Sequence, residues 1–301
     1  MGNTRGSGRN SHIGVSLEGF FDYAKERYRI KLRREEGTPP PWTEDPILQE
    51  YRFCHIFRED DKTTQWFRRY LRDPLAEDPI KVIKATIGFR WFNRIETGQR
   101  IVSILFENGW NAQRVRWALR GVSPIVTGAY LIKTPAGMNK LEGIIWCMKQ
   151  LKGLARLQGE SLEEAHQILM TFPYLGAFMA YEIVTDLRYT CVLRGAADIY
   201  SWANPGPGAA RGLAHIFGTK LNRHSQRGVA IMITQMRALL AYSHQGVYNV
   251  MDETIHRERY WPEEWPLWDM RTVEHTLCEY DKYVRCLLGG RSKRRYVYAG
   301  D

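Results

Sequence analysis

Between Asp198 and Gly212 the sequence DIYSWANPGPGAARG gathers a carboxylate, an indole, a carboxamide, a guanidinium and three glycines into one short stretch. The core of that stretch, Asn-Pro-Gly-Pro-Gly, suits neither a helix interior nor a central strand, and its glycines let the main chain approach a ligand closely. Trp202 is of a type that stacks on an extruded base, and Asn204 can read a hydrogen-bonding edge. Arg211, at the start of the next helix, can hold a phosphate, with Gly206 and Gly208 clearing the space between. The plainer reading is a Pro/Gly connector around a buried tryptophan.

The elements before this loop are of a kind that positions a phosphate. Ser161-Leu-Glu-Glu164 is a capping box that opens a helix, the segment Pro173–Gly176 is a tight turn, and a second helix follows to about Leu187. A helical hairpin of this form presents backbone N–H groups to phosphate oxygens. It resembles the helix–hairpin–helix of the DNA glycosylase superfamily, with Tyr174 standing where that hairpin has its first glycine. The resemblance marks Gly176 as a DNA contact. It marks Asp198 as the catalytic aspartate, because that superfamily's aspartate follows the second hairpin glycine at a similar distance.

Two further clusters carry charge. In EYRFCHIFREDDK a helical reading puts several of Arg52, Arg58, Glu59 and Lys62 on one face, opposite Phe53 and Phe57; a salt-bridged surface is the competing account. In EHTLCEYDKYVR the charged residues are Glu279, Asp281 and Lys282. His275 and Cys278 have ligand-like spacing there, but two ligands do not make a zinc site, and no metal is expected. VTGAYLIKT, which contains Tyr130, reads as a short strand or an extended substrate-lining loop. The P-loop, G-x-S-x-G, H-E-x-x-H and dinucleotide-binding fingerprints do not occur in the sequence.

The chain that must hold these groups has 301 residues, 44% hydrophobic and 25% charged, enough for a real core. Its net charge of +10 favours a polyanionic partner such as nucleic acid. The five cysteines form no C-x-x-C pair, which points to a reduced, cytosolic protein. No secretory signal and no membrane-spanning apolar run is present.

Apolar spacing predicts helices over Leu17–Glu36, Ile47–Asp73, Pro79–Arg94, Thr97–Asn108, Trp110–Arg120, Leu141–Leu157, Gly228–Ser243 and Met270–Leu288. Residues 1–16 read as disordered, 244–267 as an irregular excursion and 291–301 as a basic tail. The expected fold is therefore mostly α: a compact multi-helix domain over 17–290, with room for two lobes, a glycosylase-like hairpin and few or no strands.

Taken together and in order, PPPWTEDPILQEYRFCHIFREDDKTTQWF, VTGAYLI, GAFMAYEIVTDLRYT, DIYSWANPGPGAARGL and VEHTLCEYDKYVR resemble the helical domain found beside the hydroxymethyluracil DNA kinases of phages. The same stretches are similar to the related amino acid:DNA transferases, first described as putative thymine pyrophosphorylases. The resemblance spans roughly residues 18–75 and 124–296. Kinase members carry a P-loop domain that this sequence lacks, a departure that favours the transferases.

The resemblance implies transfer of an amino acid, for example glycine, onto phosphorylated or pyrophosphorylated 5-hydroxymethyluracil in double-stranded DNA. Asp198 would then be the general base or amine anchor, while Trp202 and Asn204 hold the base. Arg52, Arg58, Lys62, Arg211 and Lys282 would receive phosphates, and Glu59, Glu279 and Asp281 would orient them or bind the ammonium. Tyr130, Gly176, Gly206 and Gly208 join the substrate- and DNA-binding set. No organic cofactor is implied, although a divalent ion can arrive on the substrate's phosphates. The expected partners are DNA, a free amino acid and a hydroxymethyluracil DNA kinase, with no membrane, in the cytoplasm of an infected host. The alternatives are a non-catalytic DNA-binding partner of such a kinase and a DNA glycosylase.

Overall fold

The computed structural model describes residues 13–107, 110–243 and 260–296. Twelve α-helices lie among the described residues, with no strand and a single isolated β-bridge between Tyr51 and Arg295. The mostly helical class expected from sequence is what is found. The chain divides into two compact units, residues 59–204 and residues 1–58 with 205–301.

The unit formed by the two chain ends is organised on α12 (Met270–Leu287), which packs against α1 (Leu17–Glu35), α2 (Pro46–Glu50), α10 (Pro207–Phe217) and α11 (Gln226–Ser243). Its core is aromatic: Phe20, Phe21, Tyr23, Trp268, Tyr280 and Tyr283 are buried together. Helix α10 reaches α12 at backbone distance because two glycines face it. A Cβ on Gly208 would stand 2.4 Å from Cys278 Sγ, and one on Gly212 2.5 Å from the Leu277 carbonyl oxygen. Half of the expected Pro/Gly loop is therefore helix. Pro207 takes a first-turn position, where its missing N–H costs nothing, and Gly208 and Gly212 serve helix packing.

The helix expected over Ile47–Asp73 is not continuous. It stops at Glu50, and Tyr51, Phe53 and Ile56 are buried while Arg52 and Cys54 are exposed, an alternation proper to extended chain. The physical reason is competition for backbone groups. Arg27 donates to the Phe53 and Cys54 carbonyls, Lys282 donates to the Arg52 carbonyl, and Glu279 accepts from Cys54 N–H. These tertiary partners satisfy the donors and acceptors that a helix would otherwise consume.

The expectation of disorder up to residue 16 also needs correction for its last residues; residues 1–12 lie outside those described. Ile13 N–H donates to Tyr283 Oη, Tyr280 Oη donates to the Gly14 carbonyl, and Ser16 caps α1. Of the expected excursion, 244–259 lie outside the described residues. The remainder is irregular, with Trp261 and Trp268 buried.

The second unit is centred on α4 (Pro79–Phe92), buried on nearly all sides by α5 (Ile95–Phe106), α7 (Lys140–Lys149) and α9 (Ala177–Leu187). Helix α3 (Lys62–Phe67) continues into a π-turn over Arg68–Arg72, and α6 is Ala112–Ala118. Helix α7 ends earlier than expected, and a short 3-10 turn occupies Leu154–Leu157. Residues 126–134 form a loop.

An apolar α4 nonetheless carries Arg90, which makes a bidentate pair with Asp186 of α9 at 2.6 and 2.8 Å, with both side chains at most 1% exposed. Asn93 Oδ1 and Thr64 Oγ1 accept from the same guanidinium, and Phe67 lies under it. Removing one partner leaves an uncompensated buried charge, so Asp186→Asn is expected to lower the unfolding free energy by about 3–5 kcal/mol in urea titration. A change under about 1 kcal/mol would mean that water reaches the pair.

Candidate functional site

Each unit presents a constellation of polar groups among its described residues. In the unit of residues 59–204 it is the hairpin of α8 (Leu162–Met170) and α9, opened by the expected capping box of Ser161 and Glu164. Tyr174 adopts φ of 64° in the turn, the left-handed conformation that a glycine would take without strain. Its ring is thereby held on the surface, 40% exposed. Gly176 caps α9 with no side-chain hydrogen bond, so the first amides of the helix face outward with the positive end of its dipole.

Beside them lies a cavity of about 400 Å³ lined by Trp91, Ile132, Lys133, Phe172, Tyr174 and Phe178, among others. The loop at 126–134 forms its far wall. Tyr130 donates to Glu182 at 2.5 Å and packs edge-on against Phe178.

The three loop residues expected to do chemistry brace this hairpin instead of standing free. Asp198 accepts from the Leu162 and Glu163 amides at 2.7 and 3.0 Å, one on each oxygen, and so caps the first turn of α8. Trp202 is 8% exposed and packs on His166 and Tyr181. His166 and Asn204 both donate to the carbonyl of Ala177, the first residue of α9. The hairpin thus receives a cap, a buried wedge and a double tether from a neighbouring side chain and the loop. Glu59 and Lys62 lie elsewhere in the unit. Glu59 makes a bidentate pair with the nearly buried Arg72 at 2.8 and 2.7 Å, and Lys62 is exposed at the start of α3.

The other unit's constellation centres on Asp281. This carboxylate is 1% exposed, yet it accepts from Arg211 at 2.8–3.1 Å, from Arg285 at 3.2 Å and lies 3.3 Å from His215 Nε2. Both arginines are 54% exposed. One buried anion therefore holds two guanidiniums and an imidazole with their outer edges toward solvent. Its hydrogen bond raises the pKa of Arg211, which stays charged.

Close by on α12, Glu279 accepts from Cys54 N–H and lies 3.5 Å from Lys282 Nζ. Burial alone would raise its carboxyl, but Lys282, His275, the Cys54 amide and Arg27 outweigh that and hold it below the usual range. Arg52 is exposed, with its guanidinium over Tyr296, and Arg58 opens a short 3-10 turn. Gly206 donates weakly to Glu274 at 3.4 Å. The Cys278 thiol, pressed against Gly208, is pushed up to about 12 by burial.

His215 and Arg285 were not expected as site residues. The signal was present as Arg211-x-x-x-His215 and Asp281-x-x-x-Arg285, each at helical i,i+4 spacing. Only the packing of α10 on α12 shows that the two pairs converge.

The sequence matches the family described as 5-hmdU DNA kinase, helical domain, over residues 15–291. The chain belongs to that family. A relative within reach is a 5-hmdU DNA kinase of Bacillus phage SP10, 27% identical over 310 residues that cover 91% of this chain and 46% of the relative. The family member described here thus spans about half the length of that relative. No solved structure matches. Among the described residues no helix is long and apolar enough to cross a membrane.

The hairpin brace has a pH signature. Burial lowers the His166 pKa below 6.5, and the hydrogen bond to Ala177 offsets this only in part. The unfolded chain then binds a proton near pH 6 that the folded chain refuses, so His166 favours folding above pH 6.5 and costs stability below it. Stability should fall between about pH 7 and about pH 5, and His166→Gln should flatten that fall in denaturant titrations. Parallel profiles for the two proteins would show that the imidazole is protonated in place.

Proposed function

We propose that this chain modifies DNA containing 5-hydroxymethyluracil by transferring an amino acid onto the phosphorylated or pyrophosphorylated hydroxymethyl group. The observation that carries the reading is the Asp281 cluster: two guanidiniums, held by a buried carboxylate and open to solvent, beside an imidazole on the same carboxylate. The substrate class is taken from the relative, which is named a 5-hmdU DNA kinase.

The chemistry is a displacement. The amine lone pair forms a C–N bond at the 5-methylene carbon while the C–O bond to the phosphate breaks, and phosphate or pyrophosphate leaves with the bonding electrons. Arg211 and Arg285 receive the charge that builds on the leaving group. An amino acid arrives as an ammonium and must lose a proton before it attacks. His215, oriented by Asp281, accepts that proton. Asp198, with both oxygens on the α8 amides, positions the hairpin, and the open α9 amides with Lys133 hold backbone phosphates of the DNA.

A second reading has one observation in its favour. The relative is a named kinase about twice as long, so the domain can serve as the DNA-binding partner of a kinase activity.

The test is to incubate the protein with an oligonucleotide bearing phosphorylated or pyrophosphorylated hydroxymethyluracil and an amino-acid pool, then to digest it and weigh the nucleosides. The expected product is a nucleoside carrying an amino-acid residue in place of the phosphate. His215→Ala should slow its formation by about 10²–10⁴-fold. Unchanged DNA that is bound, together with stimulation of an added kinase, would establish the second reading. An abasic site would mean a glycosylase.

A further inference from the structure

Helix α6 presents an unusual surface. Trp117 is 80% exposed, on a helix whose buried contact is made by Val115. Around it stand Gln113, Arg114, Arg116 and Arg120, and these five residues line a shelf with about 430 Å³ of open space. Gln113 and Arg114 lie at i−4 and i−3 from the indole on the same helical face, and Arg120 follows in the turn after α6. Arg114 pairs with Glu107 and Arg116 with Glu142. Arg120 makes no ion pair among the described residues. The two pairs are exposed on both sides, and such pairs give way readily to a phosphate. None of these residues belongs to the hairpin or to the Asp281 cluster.

We infer that this shelf is a separate nucleic-acid contact, in which Trp117 stacks on an unpaired base of a DNA strand and Arg114, Arg116 and Arg120 hold the flanking phosphates. An indole face is a sequence-tolerant platform for any base, and guanidiniums beside it follow the backbone on either side. The chemistry of the rim selects this occupant. Every other lining residue is a guanidinium or an amide, so an apolar helix or an acyl chain would gain one aromatic contact and bury three cations. A strand of DNA satisfies the ring and the cations together. The chain's net charge of +10 acts in the same direction. The inference rests on the proposal that the chain works on DNA, and adds a second point of contact outside the reacting centre.

The experiment is an anisotropy titration of a labelled single strand, and of a duplex with one unpaired thymine, using wild type, Trp117→Ala, Trp117→Phe and Arg120→Ala. Trp117→Ala should weaken binding to both by at least about fivefold, and Trp117→Phe should restore most of the loss. Arg120→Ala should weaken binding for all sequences alike and lower the salt slope by about one. Thermal unfolding midpoints should match wild type, since the residue is 80% exposed. Trp117→Ala binding within twofold of wild type would overturn the inference while leaving the transferase proposal intact. Loss of self-association in Trp117→Ala, with DNA affinity retained, would overturn it in favour of a contact between copies. A wild-type protein that binds neither DNA would overturn the contact as well as the DNA reading beneath it.

Discussion

Helix α10 can lie against the backbone of α12 because Gly208 and Gly212 carry no side chain at the crossing, and the Asp281 cluster depends on that approach. A methyl group on either residue would meet Cys278 or the Leu277 carbonyl at under 3 Å. The helices would then have to move apart, stretching the Arg211–Asp281 hydrogen bonds of 2.8–3.1 Å and the 3.3 Å His215 contact that span them. Arg211 and His215 project from α10, whereas Asp281 and Arg285 project from α12. A crossing without side chains thus brings Arg211 and His215 to the buried oxygen pair of Asp281 that Arg285 also meets. The same helix, α12, supplies the Tyr280 and Tyr283 hydroxyls that hold the residues before α1 and the Glu279 carboxylate that holds the extended segment after α2.

The unit of residues 59–204 solves a different problem. Its hairpin must keep a strained turn and an uncapped helix start on the surface, and both cost free energy unless the surroundings fix them. Asp198, Trp202 and Asn204 do this from one side, each by a distinct interaction: a double amide cap, a buried aromatic contact and a tether to Ala177. The Arg90–Asp186 pair fixes the other end of α9 to α4. Desolvating such a pair is expensive and the hydrogen bonds to Asn93 and Thr64 offset part of that cost. A hairpin held at both ends can present amides and an exposed tyrosine without collapsing over the adjacent cavity.

Much of this could be read from sequence where local rules decide. The capping box at Ser161, the turn before Gly176 and the spans of α1, α4, α5, α11 and α12 follow from apolar spacing and cap chemistry. Elsewhere tertiary partners outweigh local preference. Residues 51–57 look helical by composition, but Arg27, Glu279 and Lys282, remote in sequence, claim their backbone groups. The glycines after Asn204 suggested room for a ligand, because sequence does not distinguish a glycine that admits a substrate from one that admits a helix. The amide cap made by Asp198 and the packing of Trp202 on the hairpin depend on partners in α8 and α9 that the loop's own sequence does not specify. His215 and Arg285 are not legible as a site in sequence because the helix that brings them together lies 70 positions from Arg211 at Asp281.

The central claim is that the cations on Asp281 receive the phosphate carried by a modified base. It is tested most directly by measuring affinity for two duplexes that differ only in that phosphate, one with 5-hydroxymethyluracil and one with its phosphorylated form. The account predicts at least about tenfold tighter binding of the phosphorylated duplex, the value of one or two charge-assisted hydrogen bonds. It also predicts that the difference vanishes in the Arg211→Ala, Arg285→Ala double variant while binding of the unphosphorylated duplex persists. Equal affinity for the two duplexes in the wild-type protein would contradict it.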